Sequence, residues 1–237
     1  MALVDILIIV LILLFGLYGY KTGFIKTVVD TIGLVLVFVV AFMFKDPLAE
    51  WLSFNLPFLD LPGSFKGVSV LNVVIYQLAA FLIVFVVLML VFAILVKISG
   101  LIEKLLKWTV LLRLPSKILG GVLGLCEGIV VASAILMIVS LPVFNFEFVN
   151  ESKVKDVLLE VVPITGTLSK DTNKAINEIM DLKKVYNDSE NKEEFNSKSL
   201  DILLKYNIIN VEYTKKLIDS GKLKVMNAEE ILLKYSK

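Results

Sequence analysis

The stretch LVDILIIVLILLFGLYGY, residues 3–20, decides the fold of this chain. It is almost entirely apolar, with Asp5 near its start and Lys21 directly after its end. A transmembrane helix needs about 20 mainly apolar residues, so the stretch predicts a membrane span. It lacks the basic start and the Ala-x-Ala site of a signal peptide, and we therefore do not expect it to be cleaved.

Three later segments are similarly apolar, and the whole sequence, with 57% hydrophobic residues, is too apolar for an ordinary soluble domain. We expect an all-α membrane protein with four transmembrane helices, an interfacial amphipathic helix and a small helical C-terminal tail. The predicted spans are Leu3–Tyr20, Thr27–Phe44, Val70–Val96 and Ile118–Leu141. They form a membrane domain at residues 1–144, which a charged tail follows at residues 145–237.

Two connections between the spans carry signals of the membrane interface. Lys45–Ser69 contains Trp51 and three prolines, which is typical of an interfacial loop, and it includes one predicted short helix around Pro47–Leu56. Leu101–Trp108 puts lysines on one helix face and leucines on the other. This pattern predicts an amphipathic helix that lies on the membrane and ends before Pro115.

The tail holds fifteen of the 24 Lys and Arg residues and sixteen of the 23 Asp and Glu residues. Apolar residues recur there at helical spacing in five segments. These predicted helices are Ser152–Val161, Asp171–Tyr186, Ser199–Tyr206, Glu212–Ser220 and Ala228–Tyr235.

Turn and cap signals separate these helices. Pro163–Gly166 predicts a break between the first two, and the polar segment Asn187–Ser199 predicts a linker. Asn227, with Glu230 three positions later, resembles a capping box, and Gly221 is typical of a helix stop.

The residue inventory excludes several classes of chemistry. The chain has no histidine and one cysteine, Cys126. Ser-His-Asp and Cys-His catalysis, His-ligated zinc and an internal disulfide are therefore excluded. We expect no enzyme activity, catalytic residues, cofactor or metal site. The formal net charge of +1 gives no reason to expect nucleic-acid binding.

Small residues repeat along the fourth predicted span. Gly120, Gly124 and Gly128 recur every four residues and Ala132 continues the series, which places them on one helix face over about 18 Å. Small residues let helix backbones approach each other in lipid, so the pattern favours helix packing. A pore or gate lined by small residues is the functional alternative.

Glu127 lies nine positions from the start of the fourth predicted span, close to the middle of the bilayer. A charged acid there costs on the order of 3 kcal/mol on insertion scales, so Glu127 is either protonated or paired. One interpretation is a proton or ion relay that includes Gln77. The other is a structural hydrogen bond to Gln77, Tyr76 or Ser133.

Asp5 and Asp30 each lie near the start of a span. The positive end of the helix dipole favours an acid in the first turns, so a cap or anchor accounts for Asp5. Asp30 follows Lys26 by four residues and can pair with it. Because the two spans run in opposite directions, we do not expect the two acids to form one carboxylate pair.

Together these features resemble the colicin V production protein (CvpA) family over roughly residues 1–144. The residues that carry the resemblance lie in three places. Asp5 and Asp30 lie near the starts of the first two spans, and Gly19 and Gly23-Phe24 lie at the end of the first span with its basic turn. Pro115 and Lys117 precede Gly120, Gly124 and Gly128 in the fourth span. Relatives often carry Arg directly before the glycine that follows the first span. Lys21 and Thr22 stand there in this chain, which keeps a basic turn without bidentate Arg pairing.

The resemblance implies a four-span bacterial inner-membrane protein linked to toxin (bacteriocin) production or export and to envelope maintenance. We expect a scaffold or accessory protein whose partners are the lipid bilayer, membrane or envelope proteins and a second copy of itself. The alternative is a small transporter or channel component with an acidic relay. A sensor or docking role for the tail is a third hypothesis. Some relatives are fused to an extracytoplasmic serine protease, which the absence of histidine excludes here.

The positive-inside rule favours both termini outside the cytoplasm, because the cytoplasmic loops then carry seven Lys and Arg residues against four outside. We predict that a cysteine placed in the tail, in a Cys126→Ser background, reacts with a membrane-impermeant maleimide in intact spheroplasts. A tail that reacts only after the membrane is permeabilised contradicts this orientation.

Overall fold

The computed structural model describes residues 3–61, 66–99, 113–140, 149, 151–186 and 192–236. These described residues form α-helices and no strand. Four long helices come first: α1 is Leu3–Thr22, α2 is Phe24–Asn55, α3 is Leu71–Ser99 and α4 is Arg113–Val139. Five shorter helices follow: α5 is Lys153–Val161, α6 is Pro163–Val185, α7 is Lys192–Lys205, α8 is Val211–Asp219 and α9 is Ala228–Tyr235.

Each of the four long helices has an apolar stretch that is long enough to cross a membrane, judged by length and composition. The predicted fold class, an all-α membrane protein with four spans, is confirmed. The amphipathic helix predicted at Leu101–Trp108 lies outside the described residues.

Helix α2 is longer than its sequence pattern indicates. Its 32 residues rise about 48 Å, well beyond a hydrocarbon layer of about 30 Å. Pro47 lies inside the helix, where its missing N–H removes one helical hydrogen bond. The prediction of a loop with a separate short helix around Pro47–Leu56 was wrong, because α2 continues to Asn55. The end of the membrane span at Phe44 stays a prediction. Contacts with α8 stabilise this extension, including an ion pair of 2.8 Å between Lys216 and Glu50.

Contacts divide the chain into two compact units. The first comprises residues 1–39 and 87–170, and the second comprises residues 40–86 and 171–237. Each unit combines parts of the long helices with parts of the charged C-terminal sequence. The predicted boundary at residue 144 separates an apolar membrane domain from a charged tail. This division into domains stays a prediction.

In the first unit, apolar side chains from α1, α4 and α5, together with Val149 before α5, form a buried cluster. Its members are Val4, Ile8, Ala132, Leu136, Val149 and Leu158. Helices α2 and α3 pack closely at Gly33, because a Cβ atom there would lie 2.0 Å from the ring of Phe92. A glycine thus provides the space for an aromatic ring, a device typical of helix packing in membranes.

In the second unit, α8 packs on the last turns of α2. The Tyr213 side chain is buried, and its hydroxyl hydrogen-bonds with Ser53 Oγ and donates to the carbonyl oxygen of Ala49 at 3.3 Å. Burial raises the pKa of Tyr213 to about 12, so the phenol stays neutral at physiological pH. In the same unit, the side-chain oxygen of Asn196 in α7 accepts from the backbone N–H of Ser69 at 3.1 Å.

The second tail helix, α6, begins earlier than predicted, at Pro163 and not at Asp171, whereas α5 matches its predicted bounds to within one residue. The break expected at Pro163–Gly166 is limited to Val162, because Pro163 is the first residue of α6 and suits that position. Gly166 continues the helix, and a Cβ atom there would lie 2.0 Å from the carbonyl oxygen of Leu159. The glycine therefore permits close contact with α5 and does not end a helix.

Two further tail predictions were wrong and one is confirmed. Helix α7 begins at Lys192, inside the predicted linker Asn187–Ser199. Asn227 makes no side-chain cap hydrogen bond, because its left-handed backbone, with φ of 52°, replaces the geometry of a capping box. Gly221 follows the end of α8 with a positive φ of 71°, as expected of a helix stop.

Candidate functional site

The first feature of the candidate site is direct backbone contact between α1 and α4. A Cβ atom on Gly120 would lie 2.4 Å from the carbonyl oxygen of Gly19, and one on Gly124 would lie 2.4 Å from that of Phe15. Further along, a Cβ atom on Gly128 would lie 3.0 Å from the Cα of Ile12. We call this row of contacts, at Gly19, Gly120, Gly124 and Gly128, the glycine seam. Only residues without a side chain permit this separation of the two helices.

The turn between α1 and α2 is fixed by a glycine of unusual conformation. Gly23 has a φ of 83°, which L-residues with a side chain rarely adopt, and its N–H donates to the carbonyl oxygen of Gly19 at 2.8 Å. The next residue, Phe24, donates its N–H to Ser116 Oγ in α4 at 3.1 Å. The turn between α1 and α2 is therefore held against the start of α4.

Glu127 lies at the centre of the apolar stretch of α4, twelve residues from each end of Pro115–Val139. Its carboxyl group is partly buried, and Oε2 lies 3.0 Å from Thr31 Oγ1 in α2. Glu127 therefore faces a neighbouring helix and has a polar partner there.

The hydroxyl of Thr31 limits the possible protonation states. Thr31 Oγ1 also lies 2.8 Å from the carbonyl oxygen of Thr27, and a hydroxyl has only one proton to donate. When Thr31 donates to Thr27, a hydrogen bond with Glu127 requires that the Glu127 carboxyl group is protonated and donates. A neutral Glu127 that donates to Thr31 therefore gives each of the two contacts a proton of its own.

The partners considered from sequence for Glu127 are engaged elsewhere. Gln77 Nε2 donates to Asp46 Oδ1 at 3.4 Å, and Tyr76 donates to the carbonyl oxygen of Pro57 at 2.6 Å. Ser133 hydrogen-bonds with Thr165 Oγ1 in α6. The hydrogen-bond partner of Glu127 is Thr31, a residue that no local sequence pattern indicates.

Asp5 connects the start of α1 to the tail. It is only 4% exposed, and Oδ1 accepts from Ser152 Oγ at 2.6 Å and from the N–H of Val154 at 3.4 Å. Ser152 is the N-cap of α5, and its hydroxyl oxygen accepts from the N–H of Lys155. The Asp5 carboxylate thus lies at the positive end of a second helix, which favours it electrostatically.

Asp30 belongs to a separate polar group near the α1–α2 turn. It accepts from the Tyr18 hydroxyl at 3.1 Å and forms an ion pair of 3.5 Å with Lys26, which also donates to Tyr18. The structure places the two acids with different partners, Asp5 with Ser152 and Asp30 with Tyr18 and Lys26.

A comparison with protein families matches residues 4–163 to the family described as colicin V production protein. This match covers more than half of the chain. The chain belongs to the colicin V production protein family. The glycine seam, Asp5 and Glu127 all lie within the matched residues. The match supports a role in colicin V production and a bacterial membrane as the location. No curated protein and no solved structure matches the chain.

The glycine seam predicts opposite results at two neighbouring positions in this family member. Gly120→Ala forces a Cβ atom against backbone and costs about 1–3 kcal/mol in the free energy of unfolding. At Gly121 the nearest atom to a new Cβ is 3.4 Å away, so Gly121→Ala leaves stability unchanged or raises it by up to about 1 kcal/mol. Thermal unfolding of the full chain in one detergent compares the two. Equal melting temperatures for both variants contradict the seam.

Proposed function

We propose that this family member is a membrane scaffold or accessory protein without enzymatic activity. It supports toxin (bacteriocin) production or export and envelope maintenance through contacts with other proteins. Its location is the bacterial inner membrane, with both termini on the extracytoplasmic side. Membership of the colicin V production protein family supports the toxin-related part of this proposal.

The observation that carries the proposal is the glycine seam together with the Asp5 contact. Backbone-to-backbone packing leaves α1 and α4 little freedom to change their separation, since interiors packed at van der Waals contact deform at a high cost. The Asp5 hydrogen bonds attach α5 to the same pair of helices. A rigid unit of this kind suits a protein that positions partners.

The exposed surface of α3 supports a role in protein contacts. In its most apolar 18-residue stretch, only 6% is buried, whereas the corresponding share is 28% in α1 and in α4. Its exposed side chains are large and apolar, including Leu90, Leu95 and Ile98. This surface faces lipid, and it is the part of the four spans most open to a membrane or envelope protein or to a second copy of the chain.

The second candidate function is a transporter or channel component, which the Glu127–Thr31 contact favours. A carboxyl group at mid-span with a hydroxyl partner is typical of proton relays in membranes. A relay needs Glu127 to gain and lose a proton, whereas a scaffold needs only its hydrogen bond. The amide of Gln keeps a hydrogen bond and cannot carry a proton, so Glu127→Gln separates the two functions.

We predict that cells carrying Glu127→Gln in place of the wild-type chain produce toxin at the wild-type level, because the hydrogen bond to Thr31 is retained. Gly124→Leu abolishes production, because its side chain would collide with the backbone of Phe15. Toxin activity in culture supernatants is the measurement, with membrane abundance of each variant determined in parallel.

Loss of toxin production in Glu127→Gln, at normal membrane abundance, contradicts the scaffold and favours the relay. Thr31→Val then provides a matched control, since it removes the hydroxyl partner and preserves the titratable carboxyl group.

A further inference from the structure

Helix α5 carries two large apolar side chains that are exposed. Val157 is 57% exposed and Val161 is 60% exposed, and their four-residue spacing puts them on one side of the helix. Val154 and Leu158 pack into the buried cluster with α1 and α4. The exposed pair therefore lies beside the packed face of α5 and is not part of it.

The position of α5 along the spans follows from its contacts. Ser152, at its start, bonds Asp5, which lies 17 residues before the end of α1 at Thr22, a rise of about 26 Å. The carbonyl oxygen of Leu158 accepts from Ser133, which lies 18 residues after Pro115, a rise of about 27 Å.

Both rises start from the same end of the bundle, where Gly23 and Phe24 meet Ser116. The lysines at that end, Lys21 and Lys117, suit a membrane boundary. The hydrocarbon layer is about 30 Å thick, so Asp5 and Ser133, about 26 and 27 Å from this end, lie just inside the opposite boundary. Helix α5 therefore contacts α1 and α4 at the level where acyl chains meet headgroups.

The two contacts also orient α5. Ser152 and Leu158 are six residues apart on the chain, yet they meet α1 and α4 at nearly equal levels. A helix that starts on one span and reaches the next at the same level runs along the membrane plane. Its exposed charged residues lie on the face opposite the packed one, and they are Lys153, Asp156 and Glu160.

We propose that α5 is an in-plane interfacial helix, with Val157 and Val161 among the acyl chains at the membrane surface nearer the start of α1. Its charged face lies toward headgroups and water, as in other amphipathic interfacial helices. We call Val157 and Val161 the valine patch. Its occupant is lipid and not a second protein, because the area of two side chains is far smaller than the roughly 800 Å² per partner of a stable protein interface. The patch also lies at the level of the lipid boundary.

The test places a fluorescent label at single cysteines in the full chain, in a Cys126→Ser background, within lipid nanodiscs that hold one copy each. Val157→Cys and Val161→Cys report the proposed lipid side, while Asp156→Cys and Glu160→Cys are matched controls on the same helix. Each label is quenched in turn by a lipid with a nitroxide near its headgroup and by aqueous iodide.

We expect the nitroxide lipid to quench the labels at Val157 and Val161 at least twofold more than those at Asp156 and Glu160, and iodide to show the reverse order. Iodide quenching that is equal at all four positions overturns the proposal, because the valines then face water. Labels at the valines that neither quencher reaches also overturn it, since protein then covers the patch.

Discussion

The approach of α1 to α4 at Gly19 and Gly120 is the constraint on which the rest of the first unit depends. At this point a Cβ atom on Gly19 would lie 2.1 Å from the carbonyl oxygen of Gly120, and one on Gly120 would lie 2.4 Å from that of Gly19, so any side chain forces the helices apart. In lipid, where apolar surfaces gain little from association, such backbone proximity is a main source of helix–helix attraction. The direction and separation of the two helices then determine which polar groups can meet.

Two polar contacts use this arrangement in different ways. Asp5 lies in the first turn of α1 and accepts a hydrogen bond from Ser152, the N-cap of α5. The start of α1 therefore holds the first helix of the tail. Glu127 is turned toward Thr31 in α2, where a neutral carboxyl group completes two hydrogen bonds. Both acids avoid the cost of an unpaired polar group in an apolar environment, and neither contact requires bound solutes.

The parts of this structure that sequence could predict are those encoded by local periodicity. The four apolar stretches, the four-residue glycine repeat and the Lys26–Asp30 spacing each lie within one helix. The partners of Asp5 and Glu127 are 147 and 96 residues away, and no local pattern connects them. The extension of α2 beyond Phe44 was missed for the same reason, because contacts with α8 stabilise it against the presence of Pro47.

The most direct test of the account is a disulfide across the α1–α4 contact. A Cβ atom on Gly121 would lie 3.4 Å from the Cβ of Tyr20, close to the range of about 3.5–4.5 Å in disulfides. In a Cys126→Ser background, Tyr20→Cys with Gly121→Cys should oxidise rapidly to an intramolecular disulfide in native membranes. Tyr20→Cys with Val122→Cys should not, since Val122 is exposed on another side of α4. Failure of the first pair to form the disulfide, or equal yields from both pairs, would contradict the packing of α1 on α4.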